Sequence, residues 1–134
     1  MIGHPPCTYL CNSGVSWLYK REGRWELMRE GAEFFKVLLN APIPKIAIEN
    51  PIMHPHAKAI IGQSVSQIIQ PYHFGHGESK ATCLWLKNLP PLMATLIMQE
   101  RVQRLHRLPP SAERWKERSK TYPGIAAAMA AQWG

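Results

Sequence analysis

Residues 45–51 read Lys-Ile-Ala-Ile-Glu-Asn-Pro, and Pro44 and Pro51 bound this run. A short apolar segment that is partly β-branched predicts a strand buried on both faces, the kind that a parallel sheet uses. Upstream, apolar residues recur at three- and four-residue steps, which predicts an amphipathic helix from about Arg24 to Leu39. This apolar stripe consists of Trp25, Met28, Ala32, Phe35 and Leu39, and is widened by Leu27, Phe34 and Leu38.

The segments around this helix and strand predict an α/β fold. Residues 1–3 are typical of the final residues of a strand. The loop 4–16 that follows has neither the helical nor the strand periodicity of apolar residues. Strand, helix and strand in this order predict a βαβ unit. Further short helices are predicted at Pro55–Ile61, weakly at Ile97–His106 and at Ile125–Trp133, and further strands at Ser66–Gln70 and Ala81–Lys87.

Length, composition and charge set outer bounds on the function. The 134 residues are 46% hydrophobic and 19% charged, which is typical of one globular domain, 1–134. The net charge of +7 favours an anionic partner, for which nucleic acid is the first candidate. No stretch is apolar enough to span a bilayer and no secretion signal begins the chain, so we expect a soluble, cytoplasmic protein. The odd number of cysteines, three, disfavours a disulfide scaffold and leaves room for one working thiol.

A candidate nucleophile lies in the loop that follows the first strand, His4-Pro5-Pro6-Cys7. In open parallel sheets, ligands bind just outside the carboxyl ends of the strands. Two prolines before the cysteine stiffen the backbone and fix the direction of the sulfur. A thiol is a useful nucleophile when it is positioned and partly ionised. The alternative is a buried structural cysteine in a rigid turn.

A candidate acid lies at the end of the next strand. Glu49 ends an otherwise apolar strand, where partial desolvation favours the protonated acid that donates a proton near neutral pH. Asn50 adds a rigid amide, and Pro51 ends the strand. The alternative is a carboxylate that caps a helix or binds a loop. Because the two strands are neighbours in one βαβ unit, we expect Cys7 and Glu49 to approach the same crevice.

A third feature is the glycine-rich segment 74–79, which leads to Lys80 and Thr82. These two residues are expected to alternate onto one face of a starting strand, where Lys80 would hold an anion or the carbonyl of a base. The alternative is a surface hairpin with a solvated lysine.

Two further patterns are weaker. Two histidine pairs, at 54 and 56 and at 73 and 76, have the spacing of metal ligands. No convincing second pair of ligands elsewhere in the sequence would complete either site, so no metal site is predicted. The run Arg114–Lys120 mixes cations with an aromatic residue, which suits a phosphate backbone and a stacked base. The alternative there is a solvated basic face.

Taken in order, Pro6-Cys7-Thr8, Glu49-Asn50 and Glu78-x-Lys80-x-Thr82 resemble the motifs of the DNA cytosine-5 methyltransferases. The third motif departs from the Gln-x-Arg-x-Arg of that family, and the tail 122–126 is only loosely similar. The chain also looks like part of a small phage-encoded methyltransferase-like group, truncated at its N-terminus. This resemblance implies a partial Rossmann-like sheet of methyltransferase type with flanking helices and with its first strands missing.

The resemblance also implies roles for individual residues. Cys7 would add to C6 of cytosine and Glu49 would protonate the ring at N3, after which C5 would take the methyl group of S-adenosylmethionine. The base would have to be flipped out of a duplex. Contacts to the substrate are expected from Pro6, Ser13, Asn50, Lys80 and Thr82, and contacts to the cofactor from His4 and Pro5.

The chain lacks the glycine-rich cofactor turn and the target-recognition domain of that family. We therefore expect the cofactor half to be lost or to come from another chain. The expected partners are nucleic acid, with DNA first, and a second copy or another protein, with no membrane. For a phage protein the compartment would be the host cytoplasm. The alternative function is a non-enzymatic phage protein that keeps a remnant of the fold and binds nucleic acid or inhibits a host defence complex.

Overall fold

The computed structural model describes residues 1–101 and 120–134. Over these ranges the chain is a mixed α/β protein with four short strands and three α-helices. In chain order these are β1 (Ile2–Gly3), α1 (Arg24–Leu39), β2 (Ile46–Pro51), α2 (Pro55–Ile61), β3 (Gln67–Ile69), β4 (Thr82–Lys87) and α3 (Pro123–Trp133). A 3-10 helix, Asn12–Leu18, precedes α1, and a 3-10 turn, Pro71–His73, follows β3.

The strands form one open mixed sheet in the order β1-β2-β4-β3. β1 is parallel to β2, with Gly3 opposite Ile48, so the predicted βαβ unit is confirmed for β1, α1 and β2. β4 is antiparallel to β2, with Thr82 opposite Pro51, so the expectation of a parallel sheet is wrong for this strand. The apolar part of β2 is buried because strands flank it on both sides.

Helix α1 has the predicted bounds, but its buried stripe is narrower than predicted. Leu27 and Phe34 are exposed, although the sequence pattern assigned them to the stripe. Each stands one residue before a buried position, which rotates it about 100° around the helix axis toward solvent. The helix ends at Asn40, whose side-chain amide and backbone N–H both donate to the carbonyl of Lys36.

The chain forms two compact units, Met1–Ile68 with Thr82–Leu89, and Ile69–Ala81 with Pro90–Gly134. In the first unit, α1, β2, α2 and β4 all contribute to an apolar core around Trp85, whose indole N–H donates to the carbonyl of Gln63 at 3.0 Å. This core contains Leu10, Leu18, Met28, Ala32, Phe35, Leu39, Ile46, Ile48, Met53, Ala57, Ile61, Cys83 and Trp85.

In the second unit, backbone pairing replaces a predicted helix. Residues 97–101 are not helical, so the prediction of a helix at Ile97–His106 is wrong over its described part, and 102–106 lie outside the described residues. The backbone N–H groups of Thr95 and Met98 donate to the carbonyls of His73 and Tyr72. These bonds to the 3-10 turn draw the segment away from helical geometry.

Two local predictions are also corrected. The loop predicted at 4–16 is irregular only up to Cys11, because the 3-10 helix begins at Asn12 and buries Leu18. β4 begins at Thr82, so Lys80 is not on the strand, and its backbone N–H donates to the side-chain oxygen of Gln70 at 2.8 Å.

The basic run at 114–119 lies outside the described residues. No helix of the described residues is long and apolar enough to cross a membrane.

Candidate active site

The parallel pairing of β1 and β2 brings the histidine of the first loop to the acid at the end of β2. One residue beyond the paired Gly3 and Ile48, His4 Nδ1 lies 3.5 Å from Glu49 Oε2. The Glu49 side chain is 15% exposed and that of His4 is 48% exposed, so the pair is open to solvent from the histidine side. Gly3 lets β1 lie close to the end of the Ile48 side chain, since an added Cβ would be 2.8 Å from Ile48 Cδ1.

The next residue of each segment adds a buried hydrogen bond. Asn50 is 2% exposed, and its Nδ2 donates to the carbonyl of Pro5 at 3.0 Å. Its Oδ1 is also buried and accepts no hydrogen bond from any residue that the structure describes. The amide of Asn50 thus fixes the backbone two residues before Cys7.

Beyond Cys7, the same two segments stay joined through His54, which sequence analysis considered only as a metal ligand. His54 Nδ1 accepts from the N–H of Ala57 and caps α2, so the ring proton lies on Nε2, which donates to the carbonyl of Tyr9 at 3.0 Å. Its backbone N–H donates to the carbonyl of Leu10. The signal for this role is a histidine directly before Pro55, the first residue of a helix.

Cys7 itself is half-buried in a turn that is anchored on both sides. Its carbonyl accepts from the N–H groups of Leu10 and Cys11, both at 3.0 Å. Cys11 is half-buried as well, whereas Cys83 is buried in the core, where burial raises the pKa of its thiol and Lys58 partly opposes this rise. Of the three cysteines, Cys7 is the one in the loop that His4 and Asn50 connect to β2.

The remaining predicted substrate contacts divide between the two units. Pro6 is exposed beside Cys7, and Ser13 lies in the 3-10 helix of the same unit. Thr82 is buried at the start of β4, opposite Pro51, which directly follows the Glu49-Asn50 pair. Lys80 belongs to the second unit. The described geometry therefore joins His4, Pro5, Glu49 and Asn50, with Thr82 at the neighbouring strand end.

The second unit contains a polar cluster that sequence analysis did not assemble. His76 Nε2 accepts from the backbone N–H of Gly124 at 3.0 Å, and the Tyr122 hydroxyl donates to Glu78 Oε2. The His76 and Tyr122 rings lie 4.9 Å apart. Gly124 is required because an added Cβ would lie 2.1 Å from the carbonyl oxygen of Phe74. These contacts hold the start of α3 to the glycine-rich segment, which gives the cluster a structural role.

The described residues offer neither a metal site nor a complete cofactor site. They contain no group of three or more His, Cys, Asp or Glu side chains arranged to hold a metal ion. Pro5, expected to contact S-adenosylmethionine, is buried and its carbonyl is bonded to Asn50, while His4 is beside Glu49. Neither β1 nor β2 leads through a glycine-rich turn into a helix. The residues present here therefore do not fit the cofactor on their own.

Comparison of the chain with protein-family models gives no match, and comparison with curated proteins gives no significant match. The function of the loop pair must therefore be derived from its geometry and chemistry.

Proposed function

We propose that this chain carries the base-activating half of a DNA cytosine-5 methyltransferase-like reaction, built on a partial Rossmann-like sheet. In this proposal Cys7 is the nucleophile and Glu49 the acid. The observation that carries it is the parallel β1–β2 pair, which ties the Cys7 loop to the Glu49-Asn50 strand end through the 3.5 Å His4–Glu49 contact and the 3.0 Å Asn50–Pro5 hydrogen bond.

The chemistry of these residues is addition to a pyrimidine ring. The Cys7 thiolate forms a bond to C6 of cytosine, and the π electrons of the C5–C6 bond move to C5 as Glu49 gives its proton to N3. C5 then takes a proton from water and loses its original proton to water. Reversal expels the thiolate and returns the N3 proton to Glu49. The net result is exchange of the C5 hydrogen with solvent, which requires no other reactant.

The neighbouring residues position this pair. Asn50 holds the loop at Pro5, and His54 holds it again at Tyr9, so the turn that contains Cys7 is fixed at both ends. Such fixed geometry lowers the entropic cost of bringing thiol, acid and base together. The His4 side chain contacts Glu49 and forms the more solvent-exposed side of this pair.

Exchange of the cytosine C5 hydrogen tests this proposal. The full chain is incubated in D2O with a cytosine-containing single-stranded oligodeoxynucleotide, and deuterium at C5 is measured by mass spectrometry of the released nucleosides. We expect exchange that Cys7→Ser reduces to background and that Glu49→Gln reduces about a hundredfold or more, in line with the usual contribution of a general acid.

The matched control is Cys11→Ser, which removes the other half-buried thiol of the same loop and is expected to keep the wild-type rate. Circular dichroism and thermal unfolding establish that each variant is folded. Absence of exchange by the wild-type chain, or exchange that persists in folded Cys7→Ser, would overturn base activation and would favour the non-enzymatic alternative, a nucleic-acid-binding or defence-inhibiting protein.

A further inference from the structure

A solvent-facing surface of aromatic and cationic side chains follows the Cys7 loop along the chain. It is formed by Tyr9, Trp17, Tyr19, Lys20, Arg21 and Arg24, and is called the stacking surface below. Trp17 is 41% exposed and Tyr19 is 72% exposed, so both rings offer flat apolar area to solvent. None of these side chains is used by the proposed chemistry.

The aromatic rings of this surface are paired with cations. The Arg21 guanidinium lies 4.5 Å from the centre of the Trp17 ring, and Lys20 Nζ lies 5.8 Å from it. The Arg24 guanidinium lies 4.3 Å from the centre of the Tyr9 ring. These pairs place positive charge beside flat apolar surface, which is the combination that binds the bases and phosphates of a single strand.

The surface is also held in a fixed conformation. The N–H groups of Lys20 and Arg21 donate to the carbonyl of Trp17 at 3.2 and 3.1 Å. The Tyr19 ring packs edge-on against Trp25 at 5.6 Å, and its hydroxyl is 3.2 Å from His56 Nε2. A surface that is ordered before binding loses little conformational entropy when a ligand stacks on it.

Charge around the stacking surface favours an anionic ligand. Lys20, Arg21 and Arg24 outnumber the one acid among residues 17–25, Glu22, and the next acid, Glu26, is 3.6 Å from Arg29. The whole chain has a net charge of +7. A purely electrostatic surface would not need exposed tryptophan and tyrosine rings, so the aromatic content favours nucleic acid over an acidic protein.

We infer that the stacking surface binds single-stranded nucleic acid, with unpaired bases on Trp17 and Tyr19 and phosphates on Lys20 and Arg21. Bases within a duplex are stacked on one another and do not present their faces, so an unpaired strand fits this surface better than a duplex. Arg24 links the surface to the loop of the proposed site, because its Nη2 donates to the carbonyl of Thr8, the residue after Cys7. This inference rests on the proposed function in one respect, namely that the proposed substrate is a nucleic acid.

Fluorescence anisotropy with labelled oligonucleotides of about 20 nucleotides tests the inference. Single-stranded DNA, single-stranded RNA and a duplex of the same sequence are titrated with the full chain at several salt concentrations. We expect the single strands to bind at least tenfold more tightly than the duplex, and the DNA and RNA arms identify which strand is preferred. Trp17→Ala and Tyr19→Ala should each weaken binding at least about fivefold.

Matched controls separate stacking from general charge and from catalysis. Phe34→Ala removes a half-exposed aromatic ring of α1 and should leave affinity unchanged. Arg21→Gln should reduce the slope of log affinity against log salt by about 0.7. Cys7→Ser should lose C5 exchange but bind as the wild type does, so that failure of the chemistry and failure of the surface are distinguishable.

Three results would overturn the inference. One is equal affinity for the duplex and the single strands, and another is an unchanged affinity in folded Trp17→Ala. The third is displacement of the oligonucleotide by poly-L-glutamate as effectively as by unlabelled single strand, which would assign the surface to an acidic protein segment instead.

Discussion

The two units of this protein both place histidine, glutamate and a rigid loop together, but they use them differently. In the first unit, His4 directly follows β1, Glu49 lies in β2 one position beyond the last β1–β2 pair, and their side chains are 3.5 Å apart. In the second unit, His76 and Glu78 bind the backbone and the tyrosine at the start of α3. A cluster of titratable side chains is therefore a candidate for chemistry only when the fold does not already use it as a cap.

The difference follows from the elements that carry each cluster. Parallel strands bring residues that are distant in sequence together toward their carboxyl ends, as β1 and β2 do for His4 and Glu49. The start of a helix instead has backbone N–H groups that need acceptors, and His76 supplies one to Gly124. Variants of both clusters test this contrast.

The second cluster is expected to be sensitive to its glycine. In Gly124→Ala the new Cβ would lie 2.1 Å from a backbone oxygen, that of Phe74, and 2.9 Å from His76 Nε2. Because a backbone atom cannot rotate away, we expect a loss of about 3 kcal/mol in the free energy of unfolding. Urea unfolding measures this loss.

Gly3→Ala is the matched control in the first unit. Its Cβ would lie 2.8 Å from the end of a side chain, Ile48 Cδ1, and not from a backbone atom, so a side-chain rotation can relieve the close contact. We expect a clearly smaller loss than for Gly124→Ala. An equal or larger loss would contradict the structural role given to the second cluster.

The first cluster is expected to depend on the buried amide of Asn50. Asn50→Ala removes the hydrogen bond to Pro5 and leaves that carbonyl unsatisfied in a buried place, which should cost about 2 kcal/mol of stability. Because the loop is then released, Cys7 should react faster with iodoacetamide while C5 exchange becomes slower. Peptide mapping after timed alkylation measures the first effect. An unchanged alkylation rate would contradict the positioning role of Asn50.

A conservative change in the second cluster is expected to affect stability alone. Tyr122→Phe removes the hydroxyl that donates to Glu78 and should cost about 1 to 2 kcal/mol. C5 exchange by the folded variant should equal that of the wild type, since this cluster is assigned no step. A variant that keeps its stability but loses exchange would contradict the purely structural role of the second cluster.

The smallest effect concerns pH and the buried thiol of the first unit. Burial raises the pKa of Cys83 above its ordinary value of 9.0, so the folded state keeps the thiol proton more tightly than the unfolded state does. The resulting stabilisation is fully present below about pH 9 and is lost as the pH rises through the folded pKa. Urea unfolding from pH 7 to pH 10 should show this decline, and Cys83→Ala should reduce it.

Much of the first unit follows from local sequence pattern. The period of α1 and the apolar run of β2 predict both elements because burial on one face, or on both, selects the residues. The contact between the first loop and Glu49 is also predictable, since it needs only that β1 and β2 be parallel neighbours. The antiparallel direction of β4 differs from the sequence prediction because continuous apolar runs are typical of parallel sheets, whereas β4 is buried over its first four residues and yet pairs antiparallel with β2.

Non-local contacts account for what sequence reasoning missed. His54 looks like half of a metal pair, but its ring is used by the backbone of Ala57 and Tyr9. His76 and Gly124 are far apart in sequence, and no periodicity links them. The sequence predicts Lys80 on a strand, but β4 begins two residues later. The backbone N–H of Lys80 donates to the side chain of Gln70 and not to a neighbouring strand.

Covalent trapping would detect the addition of Cys7 to a pyrimidine ring. A single-stranded oligodeoxynucleotide with 2-pyrimidinone in place of cytosine is more electrophilic at C6, so a thiolate at this site should form a stable adduct. After incubation with the full chain, denaturing gel electrophoresis and peptide mapping should place the adduct on Cys7. It should be kept in Cys11→Ser and lost in Cys7→Ser. An adduct on Cys11 or Cys83, or none with folded wild-type protein, would contradict the account.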